Sequence, residues 1–481
     1  MRHAFPRPMH HVLRRGGIAI ALAGLVAGSA TGCLGGDSGS KLDPTKNADA
    51  KKYTLTLTSN AIADGKNAEG AKWIEDWVIP RFEAAQKKKG ITAHVKFQPN
   101  GVDDADYKSR LGLDLEGHKG ADVMDVDGIW VGEFAESNYI RPLKDVVGDD
   151  AMKKWKGWDS IADNVQKNAS YQGKQYGVPQ GTDGRVIYFN KKVFAKAGLS
   201  KDWQPRGWKD ILDAAKKIKQ KAPGVTPVQL NAGTAMGESS TMEGFLPLLA
   251  GAGSELYQHD KWQGDTKAIR DTVGMYSDIY QHGLGDPTLQ KEAKGREKAQ
   301  QKFADGKVGI MFEGDYLWRD VISPKSEVAP MKHRDSDVGF AKIPAIKPAA
   351  GVGGQNFVSM SGGAARVINP NTKYPQQAWE LMQFMSSAAA VKARVGDQPS
   401  ITERVDVNKE LLKNDPMLSF VSNEVIPITR FRPPQSKYLE VSTAIQEATY
   451  AIADGKSEKE AVKAYQDKLK DIVGAKHVAS D

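Results

Sequence analysis

Tyr53-Thr54-Leu55-Thr56-Leu57-Thr58 alternates apolar and polar side chains, the period of a strand with one buried face. Residues 92–97 repeat the pattern, and residues 121–126 give a short strand ending at Asp127-Gly128. Between these strands, residues 71–88, which carry Trp73, Trp77 and Phe82, and residues 107–115 follow helical spacing. Strand, helix, strand, helix, strand with short links predicts a parallel α/β sheet with helices on its faces. A second series begins with a strand over 186–190 and a Lys-rich amphipathic helix over 208–221, closed by Pro223-Gly224. Helices are expected over 244–249, 268–282 and 297–305, the last ending at Gly306 before a strand over 308–312. The helix over 374–387 offers Trp379, Leu381, Met382, Phe384 and Met385 for burial, and helices over 442–454 and 458–472 close the chain.

The N-terminus breaks this pattern. Arg2, Arg7, Arg14 and Arg15 precede an apolar run over 18–27, then the small residues of 28–32, the order of a secretory signal. Cys33 is the one cysteine, so no internal disulfide is open to it. Leu34 to Ala50 is rich in Gly, Ser, Asp, Lys and Asn, as a flexible tether should be. The net charge of +8 contains the four arginines of the signal, which leaves +4 for the rest. That remainder is dispersed along helices, with short runs such as Lys87-Lys88-Lys89, and does not form a nucleic-acid patch. The chain beyond residue 50 is long enough for two or three domains.

Catalytic signatures do not appear. No His-Glu-x-x-His occurs among the nine histidines, and one cysteine cannot build a thiolate metal cluster. Gly455-Lys456-Ser457 lacks the first glycine of a phosphate loop, where Tyr450 stands. Gly251-Ala252-Gly253 has Leu256 in place of the third glycine of a dinucleotide fingerprint, and no Gly-x-Ser-x-Gly elbow is present. No metal and no cofactor are implied.

Gly173-Lys174-Gln175-Tyr176-Gly177-Val178-Pro179, followed after six residues by Val186-Ile187-Tyr188-Phe189-Asn190-Lys191, resembles a segment of the periplasmic-type extracellular solute-binding proteins of ABC importers. The resemblance is to the carbohydrate-binding, maltose-binding-protein-like class. Here Phe189 is interposed in its usual Tyr-Asn pair. Trp208-Lys209-Asp210-Ile211-Leu212, Phe303-Ala304-Asp305-Gly306-Lys307-Val308 with Phe312-Glu313-Gly314-Asp315-Tyr316, and Ala378-Trp379-Glu380-Leu381 agree in type and order. Ala30-Thr31-Gly32-Cys33 resembles a lipoprotein cleavage box, with Ala30 where Leu is usual.

The resemblance implies a two-lobe α/β fold with discontinuous lobes, a hinge and a cleft between them. By it, residues 1–32 are a signal peptide and 33–50 a tether. Lobe I is 51–183 with 358–400, and lobe II is 184–357 with 401–481. The chain would pass between lobes near 179–184, 355–360 and 396–404. The implied function is capture of an oligosaccharide by an exported monomer, lipid-anchored at Cys33 on the outer face of the membrane, and delivery to a permease without chemistry on the ligand. Sugars need carboxylates and amides for hydroxyls and flat rings for C–H faces. On loops following strands, Asn60, Asp64, Asp127 and Trp130 are chosen on the first lobe, and Asp183 in the crossover. Glu243, Tyr316, Trp318 and Arg430 are chosen on the second. Asp64 also suits a plain turn, Trp130 a core position, and one of Tyr316 and Trp318 inward packing. The competing class is an exported glycoside hydrolase, since 59 Asp and Glu residues offer many carboxylate pairs and a sequence carries no distances.

Overall fold

The computed structural model describes residues 42–481; the expected signal, Cys33 and the tether to residue 41 lie outside the described residues. Residues 42–50, expected to continue the flexible tether, are fastened instead. Gln376 and Gln377 amides donate to the carbonyls of Pro44 and Asn47 (both 2.7 Å), and the Asn47 amide donates to the Lys373 carbonyl (2.9 Å). Two glutamines some 330 residues away capture this segment, which local composition does not reveal.

Twelve of the strands among the described residues build two main sheets and a small one beside them. They are β1 (Lys52–Ser59), β2 (Thr92–Pro99), β3 (Val123–Asp127), β4 (Gly177–Gln180), β5 (Arg185–Asn190), β6 (Thr226–Gln229), β7 (Val308–Gly314), β8 (Val338–Ala341), β9 (Ile343–Pro344), β10 (Phe357–Ser361), β11 (Ala364–Ile368) and β12 (Thr429–Phe431). The first sheet runs β2-β1-β3-β11-β4, with β1 parallel to β2 and β3 and with β11 antiparallel to β3 and β4. The second runs β8-β5-β7-β6, flanked by the small sheet β9-β10-β12. The first sheet is therefore parallel only through β3, and the antiparallel β11 returns from far along the chain.

Side-chain alternation explains the layers. Tyr53, Leu55 and Leu57 of β1 enter one core, while Thr56 turns to the other face and donates its N–H and hydroxyl to Asp122 (2.7 and 2.8 Å). Every residue of β5 is buried. Ile187 and Phe189 pack with Trp208, Ile211 and Ile218 of the helix Trp208–Lys221, and Val186 and Tyr188 pack on the opposite side. A strand covered on both faces reads as an unbroken apolar run. Three helices contain a wide π turn just before a proline: Trp73–Val78 before Pro80, Ser240–Phe245 before Pro247, and Val421–Val425 before Pro427. Proline has no N–H to return to the preceding turn, and the backbone widens there.

Two passages between the sheets are short. β4 leads to β5 through residues 181–184, and β10 leads to β11 through Gly362-Gly363. The second lies later than 355–360, because β10 pairs with β9 and β12 in the small flanking sheet and residues 358–361, expected in the first lobe, stay there. A Cβ on Gly363 would stand 2.7 Å from the Gly181 carbonyl oxygen, so the passages touch backbone to backbone. Residues 396–404, expected as the third passage, lie against both lobes. Arg404 is held on the first lobe, donating to the Ser386 carbonyl and the Ser160 hydroxyl (3.0 Å each), while Gln398 donates to the Arg319 carbonyl and Asp320 (3.2 Å each) on the second.

Arg366, in β11, is 1% exposed. Its guanidinium donates to both carboxylate oxygens of Asp125 on β3 (2.8 and 3.2 Å) and to the amide oxygen of Gln180 on β4. One cation thus joins three strands. Leaving one partner of a buried pair uncompensated costs about 3 kcal/mol or more. Arg366→Met should lose stability of that order in chemical denaturation, and Asp125→Leu added to it should restore a part. An unchanged midpoint in the single variant would contradict this role.

Candidate functional site

The passage from β4 to β5 carries Asp183 and ends on Arg185, a cation at the head of an apolar strand. Arg185 is buried, and two carboxylates hold it. Nε donates to Glu243 (2.9 Å), and Nη1 donates to Asp183, which also accepts the Gly362 N–H at 2.6 Å. Burial opposes the charge on Arg185, and Asp183 and Glu243 outweigh that effect, so the guanidinium stays protonated. Glu243 reaches this point because it sits in the wide turn Ser240–Phe245. It accepts the Tyr316 hydroxyl at 2.7 Å. Tyr316 follows β7, and its single hydroxyl proton lies between Glu243 and Glu313, the latter gripped by Arg296 through two bonds of 2.9 Å. The Arg296 guanidinium lies 5.0 Å over the Tyr316 ring. Burial pushes Glu313 above the usual carboxylate range against the pull of Arg296, and pushes Asp315 up to about 6.

A second group adjoins these residues and brings in the first lobe through Asp127. Asp127, at the end of β3, accepts from Arg432 just beyond β12 (3.3 Å), and Arg432 also contacts Glu238 (3.4 Å). Glu238 accepts the Tyr438 hydroxyl at 2.9 Å. Burial raises the Asp127 carboxyl above its ordinary value while Arg432 draws it down. Asp183, Asp127, Glu238 and Arg296 each keep a quarter to a third or so of their side chains exposed, whereas Glu243, Glu313 and Arg185 are sealed behind them. The site is a solvent-facing rank of charged groups braced by a buried one.

Of the nine residues selected from sequence, Asp127, Asp183, Glu243 and Tyr316 belong to these two groups. Trp130 does not. It is 5% exposed and packs between Tyr107 and Phe134 in the core of the first lobe. Trp318 is likewise buried, with the Arg334 guanidinium 3.7 Å over its ring and its indole N–H donated to Asp415 (3.0 Å). Both aromatics spend their faces on packing. Asn60 uses its amide to hold the Val102 carbonyl and Asp104 (3.0 and 2.9 Å), and Asp64 sits exposed in the turn 62–65. Arg430 lines a cavity of about 700 Å³ between the lobes. Its walls are residues 163–175 of the first lobe and 246–260 and 429–435 of the second, and it meets the charged groups at Arg432. Sequence reasoning missed Arg185, Arg296, Glu313, Glu238 and Arg432. The available signal was a lone charge at the end of an apolar strand, Arg185 before Val-Ile-Tyr-Phe and Glu313 after Val-Gly-Ile-Met-Phe. Among the described residues no group of three His, Cys, Asp or Glu is placed to hold a metal ion, and no helix is long and apolar enough to cross a membrane.

Known proteins share this architecture. A putative binding protein of Brucella abortus is 25% identical over 426 residues, 86% of this chain and 91% of its own. The diacetylchitobiose binding protein DasA of Streptomyces coelicolor is 25% identical over 355 residues, 72% and 73% of the two chains. Among solved structures, the sugar-binding protein MalE from Xanthomonas citri aligns with a TM-score of 0.70 at 17% identity, over 88% of this chain and 98% of that one. An ABC transporter solute-binding protein from Thermotoga lettingae, bound with α-D-tagatose, aligns with a TM-score of 0.64 at 24% identity, over 88% and 100%. These likenesses place the fold among two-lobe binding proteins. The family model for bacterial extracellular solute-binding proteins matches residues 64–392, and the chain belongs to that family.

Proposed function

We propose that this protein captures a carbohydrate, an oligosaccharide, in the interlobe cleft and hands it to the permease of an ABC importer, leaving the ligand unchanged. The observation that carries this reading is the meeting of Asp127 from the first lobe with Arg432, Tyr316 and Arg296 of the second around Asp183 in the passage, all partly open to solvent and braced by buried partners. Sugar hydroxyls donate to carboxylates and accept from guanidinium groups, and preformed ion pairs present both. The relatives support the ligand class: DasA is named for diacetylchitobiose, and the Thermotoga protein is bound with tagatose. The buried carboxylates Glu243 and Glu313 are already occupied by arginine and tyrosine donors, an arrangement suited to holding rather than to proton transfer. Cys33 becomes the lipid-bearing first residue, and the protein works as a monomer on the outer face of the membrane.

A thermal-shift screen across mono- and oligosaccharides should find a stabilising sugar, since ligand at 100 times its Kd adds about 2.7 kcal/mol. That sugar should reappear intact after long incubation, and turnover would favour the hydrolase. Asp183→Asn and Tyr316→Leu should weaken its binding about tenfold or more, the loss of roughly one strong hydrogen bond each. Trp130→Ala should behave oppositely, costing about 3–5 kcal/mol of stability with affinity retained in the folded fraction. Normal affinity in both cleft variants would move the site elsewhere.

Processing gives a separate check. Mature protein should start at Cys33 and partition with membranes, and Cys33→Ser should release it or stop maturation. Intact mass showing an unmodified N-terminus elsewhere would remove the anchor.

A further inference from the structure

The fastening of residues 42–50 fixes where the tether leaves the fold. Leu42 packs against the first-lobe core, and the carbonyls of Pro44 and Asn47 are held by Gln376 and Gln377. Asn47 also reaches the Lys373 carbonyl (2.9 Å), and the chain then enters β1 at Lys52, which pairs with Thr92 at the start of β2. The exit therefore lies at the pole of the first sheet where its parallel strands begin. Asp127 and the charged site lie at the other end of those strands.

That pole is basic. Lys46, Lys51, Lys52 and Lys373 are exposed there, and the run Lys87-Lys88-Lys89 closes the helix Ile79–Lys88 just before β2. The Thr92 N–H donates to the Lys51 carbonyl (2.8 Å), which draws Lys51 to the same turn. Of these seven, Lys89 alone meets a carboxylate among the described residues, Glu380 at 3.6 Å. Asp43 and Asp49 are the acids of the exit segment itself, and Asp43 is taken up by Thr45. Seven lysines against these three acids leave +4, as much as the whole chain carries beyond its signal. Residues 33–41 join this pole to Cys33, and nine residues reach at most about 30 Å. Each lysine brought near an anionic bilayer strengthens attachment about fivefold. The charge stands where the tether leaves, which favours a bilayer over a dissolved polyanion. We propose that the basic pole of the first lobe rests on the anionic headgroups of the membrane, turning the cleft toward the medium for capture. The inference rests on the lipid anchor of the proposed function for the nearness of the bilayer, and adds the face that meets it.

The chain from residue 33 with Cys33→Ser carries no lipid and keeps every described residue, so it reports on the pole alone. Co-sedimentation should show binding to phosphatidylcholine vesicles that contain phosphatidylglycerol, none to phosphatidylcholine alone, and release in high salt. Lys51→Glu, Lys52→Glu and Lys373→Glu combined should weaken binding about a hundredfold. Lys201→Glu, Lys221→Glu and Lys476→Glu, three exposed lysines of the second lobe, should leave it unchanged. Circular dichroism checks that both variants fold. No binding to the charged vesicles, equal loss in both triple variants, or firmer binding to dissolved duplex DNA than to the vesicles would each overturn the proposal. The anchor itself is read from the mass of the N-terminus, so the two readings fail separately.

Discussion

A guanidinium buried at the entrance to an apolar strand governs much of this molecule. Removing a charge from water costs several kcal/mol unless other charges and hydrogen bonds surround it. For Arg185 they come from three places: Asp183 two residues earlier, Glu243 from a widened helical turn, and the β10 backbone beside it, whose Met360 carbonyl accepts from Nη1 at 3.5 Å. Glu243 in turn requires Tyr316 and Arg296, and these require Glu313. Satisfying one cation therefore fixes the position of a wall of the cleft. It also stiffens the passage on the side of the second lobe, and leaves freedom to Gly181 and Gly363, both at positive φ.

Arg432 plays a different part because its partners belong to different lobes. Asp127 holds it from the first lobe and Glu238 from the second, while its neighbour Pro434 sets its carbonyl so close to Gly132 that a Cβ there would stand 1.7 Å away. The same residue borders the 700 Å³ cavity. Displacement of Arg432 is thus felt by both lobes and by the cavity between them.

Much of the fold was legible because its elements are strongly periodic. The helix Trp208–Lys221 has the predicted limits, and β1, β2 and β5 fall within a residue or two of expectation. The antiparallel return of β11 was not legible, since Ala-Ala-Arg-Val-Ile is short and carries a charge; that charge proves to be Arg366, paired within the sheet. For the site, acids on loops after strands were found, because position and chemistry coincide there. The cations that complete it were not, since pairing partners lie 17 to more than 300 positions apart. The two tryptophans misled for a related reason: an aromatic beside a cleft loop has the same sequence signature whether it faces the ligand or the core.

The interleaving of β11 sets an order of events in biosynthesis. The strand lies between β3 and β4, yet it is made roughly 180 residues after β4. At roughly 5–20 residues per second, that is on the order of ten to forty seconds in which β3 has an open edge and Asp125 has no arginine. The first lobe cannot close as it emerges from the ribosome. For a member of an extracellular family, a chain whose first lobe stays unfinished until Ile368 has been made is a chain still loose enough to be threaded across a membrane.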